Sequence, residues 1–533
     1  MTSTIAADPQ RPGTPDLPSA GRRRELPPWF LPVTLGVLVT AGLVLRFFAR
    51  QALWLDESQS VAIAKLPLHG PSTTLWTGLK QDGSPPLYYL LLHAWIELFG
   101  TGTAVVRALS AVLNLVAIYP LYLLAKRVVG LRPARVVTIL YICSPYALYY
   151  ATETRMYSLV ILLTVLYGLA LEQTLRRPSV LSILSIGVTA AGLALTHYWC
   201  IYLLITMTGI LFLWAWRRKR KEAWQALLGQ VIGGVLLLPW LPTLLFQLKH
   251  TGTPWGEPAS LSAVLHAYGW WAGGPSVAGR LALLVVAPLI VFAVCGTAIS
   301  TRAVQVGWKI NQPGALLFGI TTGTLIVAIV IGQATGSAYA DRYTATAFVP
   351  FLLLTGVGTA FLLSERVLVV AIGSLALLGI VAGAALLLAP RTQAQQAATA
   401  LARSAKPGDV VMVCPDQIGP SVRRLAPKDL AYYAAPTFTD PGRVDWTDYK
   451  PRNENANPVA VAQRAVDMAG PEHNVFIVYA EGYVTYKELC PGMRQELRTL
   501  RPKGAHGYFN QKPDLEGMEV DIFPAQPTAK STG

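Results

Sequence analysis

Asp56 and Glu57 stand side by side in Trp54-Leu55-Asp56-Glu57-Ser58, directly behind an apolar run. Two adjacent carboxylates at the end of an apolar helix are costly unless they are solvated, paired or functional. Other ionisable and aromatic residues occupy similar junctions. Lys80 and Asp82 precede Pro85-Pro86, and Glu153 and Arg155 lie in Glu153-Thr154-Arg155-Met156-Tyr157. His197 lies in Thr196-His197-Tyr198-Trp199, and Arg342 sits between Asp341 and Tyr343. A carboxylate can take the proton of an attacking hydroxyl. Guanidinium or ammonium groups, or a divalent cation such as Mg²⁺ or Mn²⁺, can stabilise a departing phosphate. One base and one phosphate clamp, with no second carboxylate needed as nucleophile, suit an inverting displacement of a glycosyl group from a phosphate donor. An apolar groove between helices would hold a lipid tail.

Each residue also has a plainer reading. Asp56-Glu57 could be helix-end solvation, and Glu153 with Arg155 a structural ion pair or two solvated ends. His197 could be a hydrogen-bonded interfacial histidine, Arg342 a snorkelling span-end arginine, and the tryptophans around Trp270 interface anchors. Lys80 and His93 say nothing singly. The joint pattern carries the weight, because acids, cations and aromatics recur at one end of successive apolar runs.

Those runs dominate the composition. The chain has 533 residues, of which 53% are hydrophobic and only 14% charged, with a mean hydropathy of +0.43. A soluble chain carries about 25% charged residues. Runs near 20 residues, long enough to cross a core of about 30 Å, fall at 30–48, 108–125, 136–151, 157–175, 180–196, 199–216, 224–246, 279–300, 314–333, 343–363 and 367–388. The net charge of +15 comes from short basic clusters between runs, which is the footprint of membrane topology and not of nucleic-acid binding. No cleavage site follows the first run, so it reads as an uncleaved helix.

One further apolar stretch, Pro85 to Phe99, is short and opens with two prolines. If it does not cross, Arg22–Arg24, Lys126, Arg127, Arg132, Arg135, Arg176, Arg177, Arg217–Lys221, Arg302, Lys309 and Arg366 all fall on the cytoplasmic side. If it crosses, all of those after Arg24 fall outside, against the Lys/Arg bias of cytoplasmic loops. The expectation is therefore an all-α polytopic membrane protein of about eleven spans. Its N-terminus is cytoplasmic, and Pro85 to Phe99 is a juxtamembrane or re-entrant helix in the first outer loop.

The divisions expected are a disordered N-terminus at 1–28, a membrane unit at 29–390, a small extracytoplasmic α/β domain at 391–525 and a flexible tail at 526–533. Within the third, Thr392–Ala405, Pro458–Met468 and Tyr486–Leu500 read as helices, while Asp409–Cys414, Asn474–Ala480 and Glu519–Phe523 read as strands. No glycine-rich phosphate loop appears there, which suits a cover or acceptor platform better than a second centre. Of five cysteines, Cys143, Cys200 and Cys295 lie in apolar runs. Cys414 and Cys490 could pair if they face outward, but sequence does not give their separation.

The order Asp56-Glu57, then Asp82-Gly83-Ser84-Pro85-Pro86-Leu87-Tyr88-Tyr89, resembles the GT-C superfamily, specifically bacterial relatives of protein O-mannosyltransferases and aminoarabinose transferases. Arg107, Ser144-Pro145 leading to Glu153-x-Arg155-Met156-Tyr157, Thr196-His197-Tyr198, Pro239-Trp240-Leu241-Pro242, and Arg342-Tyr343 with Pro350 extend the likeness over roughly 30–390. The resemblance implies an inverting glycosyltransferase of the bacterial plasma membrane with a polyprenyl-phosphate-sugar donor. The acceptor would be a hydroxyl of an envelope glycan, glycolipid or exported protein. It makes Asp56 the base and Glu57 an acceptor or metal contact. Lys80, Arg107, Arg155 and Arg342 become donor-phosphate candidates, and Asp82, Glu153, Tyr157, His197 and Tyr343 further site residues. One departure stands out: aminoarabinose transferases carry Glu-Lys before the prolines, where this chain has Gly83-Ser84. The tail does not resemble the β-trefoil of eukaryotic protein mannosyltransferases.

Two other classes compete. A transporter or flippase of lipid-linked sugars would place its charges at mid-membrane and often shows repeated halves; neither pattern is present. A non-catalytic scaffold would leave Asp56-Glu57 without a purpose.

Overall fold

A computed structural model of the chain describes residues 30–252, 256, 258–300, 303–480, 488–507 and 515–526. The expected disordered N-terminus, the tail beyond residue 526, Arg302 and the start of the Tyr486 helix lie outside these residues. Helix α1 (Phe30–Leu45) is followed by three short helices, α2 (Leu55–Ala64), α3 (Leu75–Asp82) and α4 (Leu87–Phe99). Next come α5 (Thr103–Val116), α6 (Ile118–Val129), α7 (Leu131–Cys143), α8 (Pro145–Ala151), α9 (Tyr157–Arg176), α10 (Val180–Ala194) and α11 (Cys200–Arg217). They lead into α12 (Lys221–Leu237), α13 (Leu241–His250), α14 (Ser262–Ala272) and α15 (Val277–Cys295). A hairpin of β1 (Gly296–Ser300) and β2 (Ala303–Val306) precedes α16 (Gln312–Thr335), α17 (Ala345–Thr359) and α18 (Glu365–Leu388).

All eleven expected spans are helical over most of their length, and seven described helical stretches, two of which join α5 to α6 and α12 to α13, are long and apolar enough to cross a membrane. The other four are short or interrupted. α1 and α10 have 16 and 15 described residues and α17 has 15, while 136–151 breaks at Ser144. There the Ser144 hydroxyl accepts from the Ala147 N–H at 3.3 Å, and Pro145 takes the first position of α8, where a missing N–H costs nothing. The run expected to reach Ser300 stops at Cys295, because the β-branched residues beyond Gly296 pair antiparallel with Ala303–Val306. α4 has 13 residues, about 20 Å of helix, short of the membrane core. Glycines bring backbones together around α7: a side chain at Gly42 would meet the Ile142 carbonyl oxygen at 2.6 Å, and one at Gly379 the Cys143 oxygen at 2.4 Å.

Beyond Pro390 the pattern becomes α19 (Ala394–Ser404), β3 (Val410–Cys414), α20 (Gly419–Leu425), β4 (Ala431–Ala434), α21 (Tyr449–Glu454), α22 (Pro458–Ala469), β5 (Val475–Tyr479), α23 (Leu489–Leu500), β6 (Ala505–Gly507) and β7 (Glu519–Phe523). The sheet order is β4-β3-β5-β7-β6, with β3 parallel to β4 and β5, and β7 antiparallel to β5 and β6. β3 and β5 are buried along their whole length, which is why both read as unbroken apolar runs. β4 and β6 escaped the sequence reading; with four and three residues they carry no such run. Trp54 and Leu55, at the entry to α2, belong to the same apolar cluster as Met412, Ile477 and Met493. The first loop and the C-terminal sheet therefore share a core.

The pairing that sequence leaves open is formed: Cys414 at the end of β3 is bonded to Cys490 in α23, with Cα atoms 5.6 Å apart. α23 brings the two sulfurs together by packing over the sheet. An engineered protease site in the exposed Pro471–Glu472 turn tests it. After cleavage the two fragments are expected to run as one species without reductant and as two with it; separation without reductant would contradict the bond.

Candidate active site

Glu57 is fully buried, and its charge is met inside the protein. Arg107 donates from Nε to Oε1 at 2.8 Å and from Nη2 to Oε2 at 2.6 Å, a bidentate pair. The Thr154 N–H adds a bond to Oε1 at 2.9 Å, and Arg391 Nη1 lies 3.8 Å from Oε2. Burial alone would raise the Glu57 carboxyl. Arg107 first, then Arg391 and the Thr154 N–H, overcome it and hold the group below the usual carboxylate range. The rest of the Arg107 fork donates to the carbonyls of Ala49, Gln51 and Ala52. One ion pair thus fixes the chain leaving α1, the start of α2 and the 152–154 turn.

Asp56, one residue earlier, points the other way. It lines a cavity of about 160 Å³ and keeps 16% side-chain exposure, against none for Glu57. Its Oδ2 lies 3.8 Å from Arg155 Nε and 3.5 Å from Arg342 Nε, and makes no hydrogen bond. Arg155 is held elsewhere, donating from Nη1 to Ser60 Oγ at 3.0 Å and to the Tyr89 hydroxyl at 3.3 Å. Arg342 lies against the Trp54 and Tyr343 rings, 5.5 Å from each centroid. The result is one carboxylate at the cavity wall in ion-pair contact with two guanidinium groups, without a hydrogen bond from either Nε.

The opposite wall is built by Asp82, Gln59 and a residue from the C-terminal region, Trp446. Asp82 accepts from Gln59 Nε2 at 3.0 Å and from the Tyr89 hydroxyl at 2.9 Å. Gln59 also exchanges both amide bonds with the Val444 backbone at 2.9 Å, and the Trp446 N–H donates to the Gln81 carbonyl at 3.0 Å. Gly83 ends α3 at φ +78°, and a side chain there would meet Thr251 Oγ1 at 2.7 Å. That left-handed, crowded position favours glycine.

His197 lines the cavity. Its Nδ1 accepts from the Trp199 N–H at 3.1 Å, so the proton sits on Nε2. Burial first, then Arg155 and Arg342, push its pKa down to about 3, which keeps the ring neutral. The Tyr343 ring, also at the cavity, lies 4.9 Å from the His197 ring at a tilt of 52°, and the Tyr157 ring, which does not line the cavity, lies 5.9 Å away at 47°. Glu153 does not pair with the Arg155 side chain. It accepts from Trp54 Nε1 at 3.0 Å, and burial raises its pKa to about 7 against the pull of Arg391.

Three expectations need correction. Lys80 does not face the cavity; it is exposed, with Nζ 4.0 Å over the Phe246 ring. Arg107 is engaged with Glu57 and three carbonyls and has no outlet to a donor phosphate. Glu57 has both oxygens engaged and does not line the cavity. Among the described residues, no three His, Cys, Asp or Glu side chains gather closely enough to hold a metal ion. Sequence reasoning missed Arg391, Gln59, Trp446 and Glu516. Arg391 donates to the Thr152 carbonyl and hydroxyl at 3.1 and 3.0 Å and stacks on Tyr149; its place just after the last apolar run was the available signal. Glu516 accepts from the first free N–H of α2, that of Leu55, at 2.7 Å. Nothing local in the sequence marks Gln59, Trp446 or Glu516, which act across 365 to 461 residues of chain.

Two outcomes are expected from these environments. Glu57→Gln leaves Arg107 buried without its counter-charge, at a cost of about 3–5 kcal/mol. Its thermal midpoint should fall well below wild type in detergent, and an unchanged midpoint would show that the pair is not structural. Glu516 is raised by burial from 4.5 to about 8. The folded state therefore binds the extra proton between those values, and this contribution is full below pH 4.5 and lost as pH rises through 8. Glu516→Gln should flatten the decline in thermal midpoint across that window, by at most about 1.4 kcal/mol per pH unit. Parallel curves would contradict it.

Residues 83–242 match the family model of dolichyl-phosphate-mannose-protein mannosyltransferases. No curated protein sequence matches the chain. Among solved structures, ArnT from Cupriavidus metallidurans in the apo state is similar over 94% of this chain and 99% of its own, with a TM-score of 0.55 at 14% identity. The same protein bound to undecaprenyl phosphate gives 0.54 at 12% identity with the same coverage. The Archaeoglobus fulgidus oligosaccharyltransferase in complex with Zn and sulfate gives 0.48 at 13%, over 83% of this chain and 67% of that one. At these identities the ArnT likeness is one of fold, and the family-model match is confined to residues 83–242, under a third of the chain.

Proposed function

We propose that the protein is an inverting glycosyltransferase that moves a sugar from a polyprenyl-phosphate donor to a hydroxyl of an envelope glycan, glycolipid or exported protein. The observation that carries this reading is Asp56, whose carboxylate lines the cavity together with the Arg155 and Arg342 guanidinium groups and lies 3.8 and 3.5 Å from them. Asp56 takes the proton as the acceptor oxygen forms its bond to the anomeric carbon. The bond from that carbon to the phosphate oxygen breaks on the opposite side, which inverts the centre. Arg155 and Arg342 hold the negative charge that gathers on the leaving phosphate. Neutral His197 offers an Nε2 donor without adding charge. The structure of ArnT with undecaprenyl phosphate supports a lipid-phosphate donor.

The site and the C-terminal region face the extracytoplasmic side of a bacterial plasma membrane in this reading, with the N-terminus cytoplasmic. The Lys/Arg distribution among loops supports that orientation. So does the Cys414–Cys490 disulfide, since disulfides persist in oxidising compartments. Trp446 and Gln59 make the C-terminal region a wall of the reaction site as well as a cover.

Purified protein assayed against a panel of polyprenyl-phosphate sugars tests the reaction. Asp56→Asn is expected to lower kcat by about 10²–10⁴-fold, and Arg342→Gln by about 10²–10³-fold, with both variants still folded. Sugar transfer at the wild-type rate by folded Asp56→Asn would remove Asp56 as the base.

A further inference from the structure

A second cavity, of about 290 Å³, lies in the helical bundle away from the reaction site. α9 measures the separation. Its first residue, Tyr157, packs behind His197, while Arg176 at its last turn borders the second cavity, about 30 Å away by helix rise. Along α9 the cavity runs from Thr164 to Arg176, about 18 Å, close to the roughly 15 Å of one leaflet's hydrocarbon. Leucines from α9, α11, α16 and α17 dominate its walls. The polar groups along the wall are satisfied within the protein: Thr164 Oγ1 donates to the Val160 carbonyl at 2.8 Å, and the Tyr167 hydroxyl accepts from Gln230 at 2.6 Å. A cavity with such a lining takes apolar guests and not water.

The mouth is basic. Arg176 and Arg220 border it and are exposed. Arg176 shares Glu172 with Arg127, and Arg220 Nε stands 3.6 Å from Glu222. The five consecutive cations Arg217 to Lys221 lie at the same end. An apolar slot one leaflet deep, with guanidinium groups at its rim, matches the shape and charge of a lipid with an anionic headgroup. We propose that this slot binds one acyl chain of an anionic phospholipid of the leaflet opposite the reaction site, with Arg176 and Arg220 at its phosphate. The site stands apart from sugar transfer, and its test is independent of that activity.

The full-length protein in phosphatidylcholine nanodiscs, doped with phosphatidylglycerol carrying a photoreactive acyl chain, provides the measurement. Crosslinks mapped by mass spectrometry should fall on Leu171–Leu175 and Leu316–Ile320. They should drop about tenfold or more in the Arg176→Gln/Arg220→Gln double variant, the scale set by two surface basic residues acting on an anionic lipid. Leu171→Trp fills the slot, keeps both arginines and should also lose the crosslinks. Three results would each overturn the proposal: equal labelling by the phosphatidylcholine analogue, undiminished labelling in either variant, or labelling of the slot by a photoreactive polyprenyl phosphate but not by phosphatidylglycerol.

Discussion

The buried pair between Glu57 and Arg107 is the constraint on which the rest of the site depends. A carboxylate and a guanidinium taken fully out of water have to satisfy one another completely, and here they do so with two parallel bonds. The remaining donors of Arg107 are spent on the carbonyls of residues 49–52, so the chain leaving α1 has one path into α2. The remaining acceptor capacity of Glu57 draws in Thr154 and Arg391. Because Glu57 is locked inward, the helical geometry at the start of α2 turns Asp56 outward, into the cavity between Arg155 and Arg342.

Environment separates acidic groups that look alike. Glu57 is ionised because Arg107 meets it. Glu153 and Glu516 lack such a partner, and burial raises them to about 7 and about 8. Each stands as a hydrogen-bond partner close to the reaction site, Glu153 for Trp54 and Glu516 for the Leu55 N–H. Asp56, partly exposed and flanked by cations without a direct hydrogen bond, is the carboxylate best placed to change partners when a substrate enters.

The C-terminal region takes part in this arrangement directly. Trp54 and Leu55 are buried in the apolar cluster of its sheet, Gln59 exchanges two amide bonds with Val444, and Trp446 forms part of the cavity wall. A displaced C-terminal region would expose that cluster and release Gln59 from Val444. The cavity is therefore a composite of the first loop, the turns between helices and a segment nearly 400 residues downstream.

The sequence by itself determined the membrane character and the approximate positions of the helices, and marked Asp56, Arg155, His197, Arg342 and Tyr343 as candidates; the fold decided that these five line one cavity. The signals in the sequence are local: apolar run length, basic clusters and the spacing of charges at run ends. It also located β3 and β5, because burial on both faces leaves an unbroken apolar run. Tertiary structure decided the rest. Whether Glu57 or Asp56 faces the cavity depends on Arg107, a partner 50 residues away. Lys80 looked equivalent to Arg155 until Phe246 claimed it, and the pairing of Cys414 with Cys490 depended on where α23 lies over the sheet. Gln59, Trp446 and Glu516 carry no local mark at all. Local patterns report how a segment meets its solvent; which groups meet each other is set by packing between segments far apart in the chain.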